Sequence, residues 1–164
     1  MKTLNQYIKE KLIVNKDYND VEIVVKSFDE FRKIIDYRYD KLGAGTEQKP
    51  IDFNDIDVSN IYSFFDKNKG GIFEKTKFKY IDISSWDVSN VTNMTRMFCW
   101  CKELESIGDI SKWDVSKVNS MIHMFFDCKK FNQDISNWDV SNVMGRVGMF
   151  YGCPIKNEYE PKFK

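Results

Sequence analysis

The 164-residue sequence predicts an α/β fold, a short right-handed solenoid of parallel strands and short helices with an α/β cap at its N-terminal end. Two observations carry this expectation. A ten-residue phrase recurs, reading DISSWDVSNV at 82–91, DISKWDVSKV at 109–118 and DISNWDVSNV at 134–143. After each recurrence the apolar spacing changes from alternation to steps of three and four.

The repeats come first, because a missed period misassigns everything else. Each phrase runs into a Met/Phe segment that closes on cysteine: MTRMFCWC, MIHMFFDC and RVGMFYGC. Trp86, Trp113 and Trp138 are spaced 27 and 25 residues apart. A worn copy, IDFNDIDVSNIYSFF at 51–65, aligns at a shift of 30 with 81–95, placing Ile56 at the Trp position and Phe64 at the Met position. Four units follow, at 51–80, 81–107, 108–132 and 133–153. A period in the twenties suits a stack in which each turn gives one strand and one short helix.

Within a unit, alternation around Asp82, Ile83 and Ser84 predicts a strand with one buried face. Phe53, Ile83, Ile110 and Ile135 would stack inward as a ladder. Val91, Met94, Phe98 and Cys101 fall at 0, +3, +7 and +10, and Val118, Met121, Phe125 and Cys128 repeat that spacing, which predicts a helical face. Ser59, Ser89, Ser116 and Ser141 precede these segments, where a hydroxyl can cap free N–H groups. One turn cannot bury its own apolar face, so stacking makes the core.

These residues resemble a known family. The pattern D-I-S-x-W-D-V-S-x-V-x-x-M-x-x-M-F-x-x-C is similar to the BspA-like type of bacterial leucine-rich repeat. The resemblance covers about three fifths of the chain and implies an α/β solenoid with a parallel sheet, no catalytic centre, and use in protein recognition. Many members are long secreted adhesins, whereas this chain has four units. It looks similar to small proteins of gut Bacteroidales and their phages.

The ends of the stack need caps. Residues 1–50 suit the first as helix, strand and helix: Leu4, Tyr7, Ile8 and Leu12 are helically spaced, and Val21 to Val25 is β-branched. Ser27 to Glu30 forms a capping box that opens a helix through Phe31, Ile34, Ile35 and Tyr39, with Gly43 or Gly45 as its stop. At the other end, Gly145, Arg146 and Gly148 replace helix-favouring or apolar residues. The tail at 154–164 is polar and is expected to fray.

Composition excludes several functions. Lys+Arg and Asp+Glu are both 25, so no global field draws in nucleic acid or an acidic membrane. Aromatic content is high, with 13 Phe, 8 Tyr and 4 Trp, unlike a disordered chain. No stretch approaches the roughly 20 apolar residues of a membrane span, and the N-terminal segment lacks the apolar block of a secretory signal. A cytoplasmic protein is expected, monomeric or of low order, without cofactor or membrane.

Candidate sites follow from the repeat. Cys101, Cys128 and Cys153 share one position and read as a packed column; Cys99 and Cys101 alone do not supply paired zinc ligands. His123 stands where Arg96 and Gly148 stand, with no nucleophile or positioned base, so an enzyme is not expected. Asp57, Asp87, Asp114 and Asp139 are placed to cap N–H groups before each helix. Asp52, Asp82, Asp109 and Asp134 would lie opposite the Ile ladder, where neighbouring carboxylates must be solvated, paired or bridged by a cation such as Ca²⁺.

The partner surface is expected to be the strip of Asp82, Ser84, Asp109, Ser111, Asp134 and Ser136. It would be joined by the basic, Gly-hinged segment 67–79 that interrupts the first unit, with Lys69, Lys75 and Lys77 and with Phe73 and Phe78 as aromatic anchors if exposed, or as core if they belong to the stack. Alternating Lys and Phe also suits single-stranded nucleic acid, a minor option in a neutral chain. The function expected is a protein-protein interaction module, an accessory factor binding a host or assembly protein. The alternative is a structural component of a larger particle or surface layer.

Overall fold

The computed structural model describes residues 23–25 and 27–163, and it is a mixed α/β structure with one α-helix and six two-residue strands among them. The helix expected around Leu4 to Leu12 lies outside the described residues. Strand β1 (Ile23–Val24) pairs in parallel with β3 (Ile56–Asp57), and β2 (Ile51–Asp52) pairs in parallel with β6 (Ile81–Asp82). Strands β4 (Phe65–Asp66) and β5 (Gly70–Gly71) form an antiparallel hairpin. Isolated parallel bridges carry the pairing onward, one from Tyr80 to Ser106 and a series running Ser63 to Asn93 to Ser120 to Gly145.

Helix α1 spans Phe28–Leu42. Ser27 Oγ accepts the Glu30 N–H at 3.2 Å, the first half of a capping box. Gly43, at φ +76°, ends the helix and returns its N–H to Tyr39. The helix buries Phe31, Ile34, Ile35 and Arg38. Phe31 meets Phe64, Phe73 and Trp86 at centroid distances of 6.5, 6.3 and 5.4 Å, which closes the start of the aromatic core. Buried Arg38 grips both Asp55 carboxylate oxygens at 2.7 and 2.6 Å, also donates to the Asp52 carbonyl, and lies over Phe53. Removing one partner of such a buried pair costs about 3–5 kcal/mol, because the other charge stays behind.

The repeat segments are turns, not the helices that their spacing predicts. The N–H groups of Met94, Arg96, Phe98 and Trp100 donate to Ser120, Ile122, Met124 and Phe126 of the next unit at 2.7–2.9 Å. Those of Met121, His123, Phe125 and Asp127 do the same to Gly145, Val147, Met149 and Tyr151. A helix would need these donors for its own carbonyls. Instead Met97 bonds back to Met94, and Cys101 to Phe98, with φ of +55° at Arg96 and +66° at Trp100. A positive φ at the third turn residue is the mark of type II turns. Two such turns in succession bury Met94, Met97, Phe98 and Cys101, a set that mimics a helical face. Gly148 and Gly152, at φ +62° and +70°, occupy the two left-handed positions of the last unit and are the readable sign of them.

Equivalent side chains stack from unit to unit. Trp86, Trp113 and Trp138 lie 6.4 and 6.0 Å apart and nearly parallel. Phe73, Phe98, Phe125 and Phe150 form a second column at 5.4, 5.4 and 5.9 Å. Phe53, Ile83, Ile110 and Ile135 are all buried, as the ladder requires. Trp86 and Trp138 donate their indole N–H to Phe53 O and Ile110 O, so each ring is fixed by its polar end as well.

The extra length of the first unit is narrower than the sequence suggests. Phe64 N–H bonds to Asn93 O, and Phe73 N–H bonds to Met97 O, so the chain is back in register by Gly71 and the β4–β5 hairpin is the insertion. At Gly71 a side chain would run into the Arg96 carbonyl, 1.9 Å from an ideal Cβ. The C-terminal tail packs instead of fraying. Ile135 N–H donates to Tyr159 O, Pro161 is buried, and Phe163 lies under Arg146, because the last unit leaves apolar surface to cover.

Replacing Trp113 with Ala should cost about 3–5 kcal/mol in urea melts, as large-to-small core changes do. Replacing Trp138, which has a stacked ring on one side only, should cost less. Equal losses near zero at both would contradict this packing.

Candidate functional site

Both aspartate columns are set by one local device. Oδ1 of Asp52, Asp82, Asp109 and Asp134 accepts the N–H two residues on, from Asn54, Ser84, Ser111 and Ser136 at 2.8–3.0 Å. Asp57, Asp87, Asp114 and Asp139 do the same with Ser59, Ser89, Ser116 and Ser141. These are Asx turns, which let the chain reverse at each corner of a unit. The serines therefore donate backbone N–H groups to the aspartates and are not helix caps, because no helix follows them.

Hydrogen bonding from the side chain and backbone of the serine two residues on holds the carboxyls of Asp87, Asp109, Asp114 and Asp134 below the usual range. Partial burial pushes Asp82 up, but the bonds from Ser84 and Asn54 outweigh it and its net shift is also downward. All five are charged at neutral pH.

Asparagine side chains link one unit to the next. Asn90 Nδ2 donates to Ser59 O, Asn142 Nδ2 to Ser116 O, and Asn137 Nδ2 to Ser111 O at 2.9, 2.7 and 2.5 Å. Gln133 clamps the same region, accepting from Ile107 N and donating to Gly108 O, both at 2.9 Å. Sequence reasoning missed these brackets, although the recurring Ser-Asn-Val carried the signal for Asn90 and Asn142.

Asp109, Ser111, Asp134 and Ser136 line one open groove of about 540 Å³, floored by Gly108 and Ile110 and edged by Gln133 and Asn137. Neither lysine nor arginine lines it. An adjoining recess of about 390 Å³ shares Ser106 and Gly108 and adds Asp82, Tyr80, Glu105 and Lys130. Gly108, at φ +82°, allows Asp82 to sit against it, since a Cβ there would come within 2.4 Å of the carboxylate. Five of the six strip residues are thus brought together or adjoin, and Ser84 stands beside them, 3.3 Å from the same ideal Cβ.

The aromatic residues of the basic segment belong to the core. Phe73 and Phe78 are completely buried, Phe73 in the stacked column and Phe78 against Phe53 and Tyr39, so neither is an exposed anchor. Their repeat register places them inside. Lys69 pairs with Asp29 of α1 at 2.6 Å, and Lys75 and Lys77 are exposed.

The cysteine column is packed. Cys101 and Cys128 donate to Phe73 O and Phe98 O at 3.0 Å, and Cys153 donates to Phe131 O. Burial raises the Cys101 thiol to about 12 and Cys153 to about 11, and it raises Cys128 as well. No group of three or more His, Cys, Asp or Glu side chains gathers as a metal site among the described residues. His123 stands edge-on to Phe126 at 5.0 Å.

Lowered carboxylate pKa values give a defined acid response. Each such group stabilises the fold above its unfolded value of about 3.9 and loses that contribution as pH falls through the lower folded value. Melting temperature should hold from neutrality to about pH 5 and fall below about pH 4. Asp109→Asn with Asp114→Asn, which keep the Oδ1 acceptor, should make the acid loss shallower in thermal melts. An unchanged acid limb would show that these groups do not contribute.

No curated protein and no solved structure matches the chain. No helix among the described residues is long and apolar enough to cross a membrane. A sequence family described as a Mycoplasma protein of unknown function, DUF285, matches residues 59–160, which takes in the Trp, Phe and Cys columns and the whole groove. That match is consistent with the BspA-like resemblance of the repeats, and the chain belongs to the DUF285 family.

Proposed function

We propose that the chain is a non-enzymatic protein-binding module. In this reading its units form a short right-handed solenoid of the leucine-rich-repeat kind, and the groove between the third and fourth units receives the partner. The single observation behind it is the convergence of Asp109, Ser111, Asp134 and Ser136 on one groove without a cation in its lining. Each aspartate uses one oxygen on its own turn and keeps lone pairs for a partner. A segment rich in donors, with Lys or Arg, is the complement.

The rival face is less available. Arg96 is tied to buried Glu74 at 2.5 Å, and Lys102 and Lys129 both pair with Asp127. Within this proposal, the chain acts in the cytoplasm as a bacterial or phage accessory factor on a host or assembly protein. A second reading, a structural part of a larger assembly, draws on the exposure of Met144, Val147 and Tyr151 at one end.

A tagged pull-down with mass spectrometry would supply the partner, and groove variants would then locate its contact. Asp109→Asn with Asp134→Asn keeps both Asx turns while removing the charges, and it should weaken binding about tenfold or more. The thermal melt at neutral pH should fall only by the small contribution that these two exposed carboxylates make, far less than unfolding would require. Loss on Lys102→Glu with Lys129→Glu instead would place the contact on the rival face. Light scattering that shows a large self-assembly of the chain alone would favour the structural reading.

A further inference from the structure

The hydrogen bonds between units have a direction. Along residues 94–100 and 121–127 every second N–H points to the following unit, and the carbonyls that accept lie on that following unit. The stack therefore ends in acceptors on one side and donors on the other. At the acceptor end, the carbonyls of Ile72 and Glu74 are the counterparts of those of Met97 and Cys99, which accept from Phe73 and Lys75. Arg32 of α1 fills this end, donating from Nη1 to Ile72 O at 2.7 Å and to Glu74 O at 3.3 Å. A charge-bearing donor suits a row of exposed carbonyls.

At the donor end, Gly148, Phe150 and Gly152 are the counterparts of His123, Phe125 and Asp127. Among the described residues their N–H groups meet no acceptor. The tail covers a different part of this end, bonding to Ile135 and setting Phe163 under Arg146. Beside the donors, Val147 and Tyr151 are 71% and 70% exposed, and the Tyr151 ring stacks on Phe126 on its inner side. A row of N–H groups without acceptors next to apolar side chains is a template for a further chain segment that brings its own carbonyls.

We propose that this edge receives a segment of a partner polypeptide, folded in the same succession of turns and in parallel register. Alternate carbonyls of the segment accept from Gly148, Phe150 and Gly152, and its apolar side chains cover Val147 and Tyr151. The interface is the continuation of the one already present between the third and fourth units, where residues 145–151 fill the same edge. A second copy does not fit by two-fold pairing, since donors would face donors. Nor does it fit head to tail, since Arg32 occupies its acceptor end. This surface is separate from the groove at Asp109 and Asp134.

The test uses the full chain and a synthetic peptide copying residues 143–152, most of which is the segment that fills this edge one unit earlier. With peptide in excess, hydrogen exchange at the amides of Gly148, Phe150 and Gly152 should slow about tenfold or more, as it does for newly bonded N–H groups. The amides of Ser111 and Ser136 in the groove should be unaffected. A peptide of scrambled order should give less protection, and Val147→Asp with Tyr151→Asp should remove the effect while leaving the melt intact. Unchanged exchange at the three amides with millimolar peptide overturns the proposal. Protection that rises with protein concentration in the absence of peptide overturns it too, since a second copy would then fill the edge.

Discussion

The structure depends on one constraint: every second backbone N–H along the Met/Phe segments at 94–100 and 121–127 finds a carbonyl of the following unit. Because those donors are committed between units, they are not available for a helix, and the Met/Phe segments resolve into successive tight turns. The same bonds hold equivalent residues at a fixed separation, so Trp86, Trp113 and Trp138 meet face to face, as do Phe73, Phe98, Phe125 and Phe150. Hydrogen bonding and ring stacking thus specify one register together. A slip of one residue would turn the apolar columns toward solvent.

This arrangement binds the candidate surface closely to the fold. The aspartates of the groove are also the residues that turn the chain, so under the proposed binding role each carboxylate would be held in place by its own backbone. Such pre-organisation lowers the entropy lost on binding. It also means that reversing these charges with lysine would remove turn acceptors and confound a loss of binding with a loss of structure. The polarity of the stack has a second consequence. The helix at one end supplies Arg32 to a row of carbonyls, while at the other end the N–H groups of Gly148, Phe150 and Gly152 meet no acceptor among the described residues.

Much of this was legible in the sequence, and the failures have physical causes. The recurrence of DISxWDVS marks the positions that stack, Trp86 on Trp113 on Trp138, and the Ser27 to Glu30 box gives the helix start. The helical spacing of Val91, Met94, Phe98 and Cys101 misled because two consecutive four-residue turns bury nearly the same positions. Gly148 and Gly152 carry a contrary signal, but Gly148 reads as the decay of a worn unit and Gly152 stands out only beside the positive φ of Trp100 and Asp127. The groove residues were visible as a column, but Asn90, Asn137, Asn142 and Gln133 were not, since their bonds are to carbonyls in a neighbouring unit. Phe73 and Phe78 stood between anchor and core in the sequence because the extent of the insertion is not marked there; once β4–β5 is removed, both fall on core positions.

The most direct test of this account is a measurement of scalar couplings across hydrogen bonds by NMR in the isotopically labelled protein. The account predicts a coupling from Phe98 N–H to the Met124 carbonyl, and from Phe125 N–H to the Met149 carbonyl. Couplings from Phe98 to Met94 and from Phe125 to Met121 would instead show helices, and would contradict the pairing on which the fold, the groove and the open donor edge all rest.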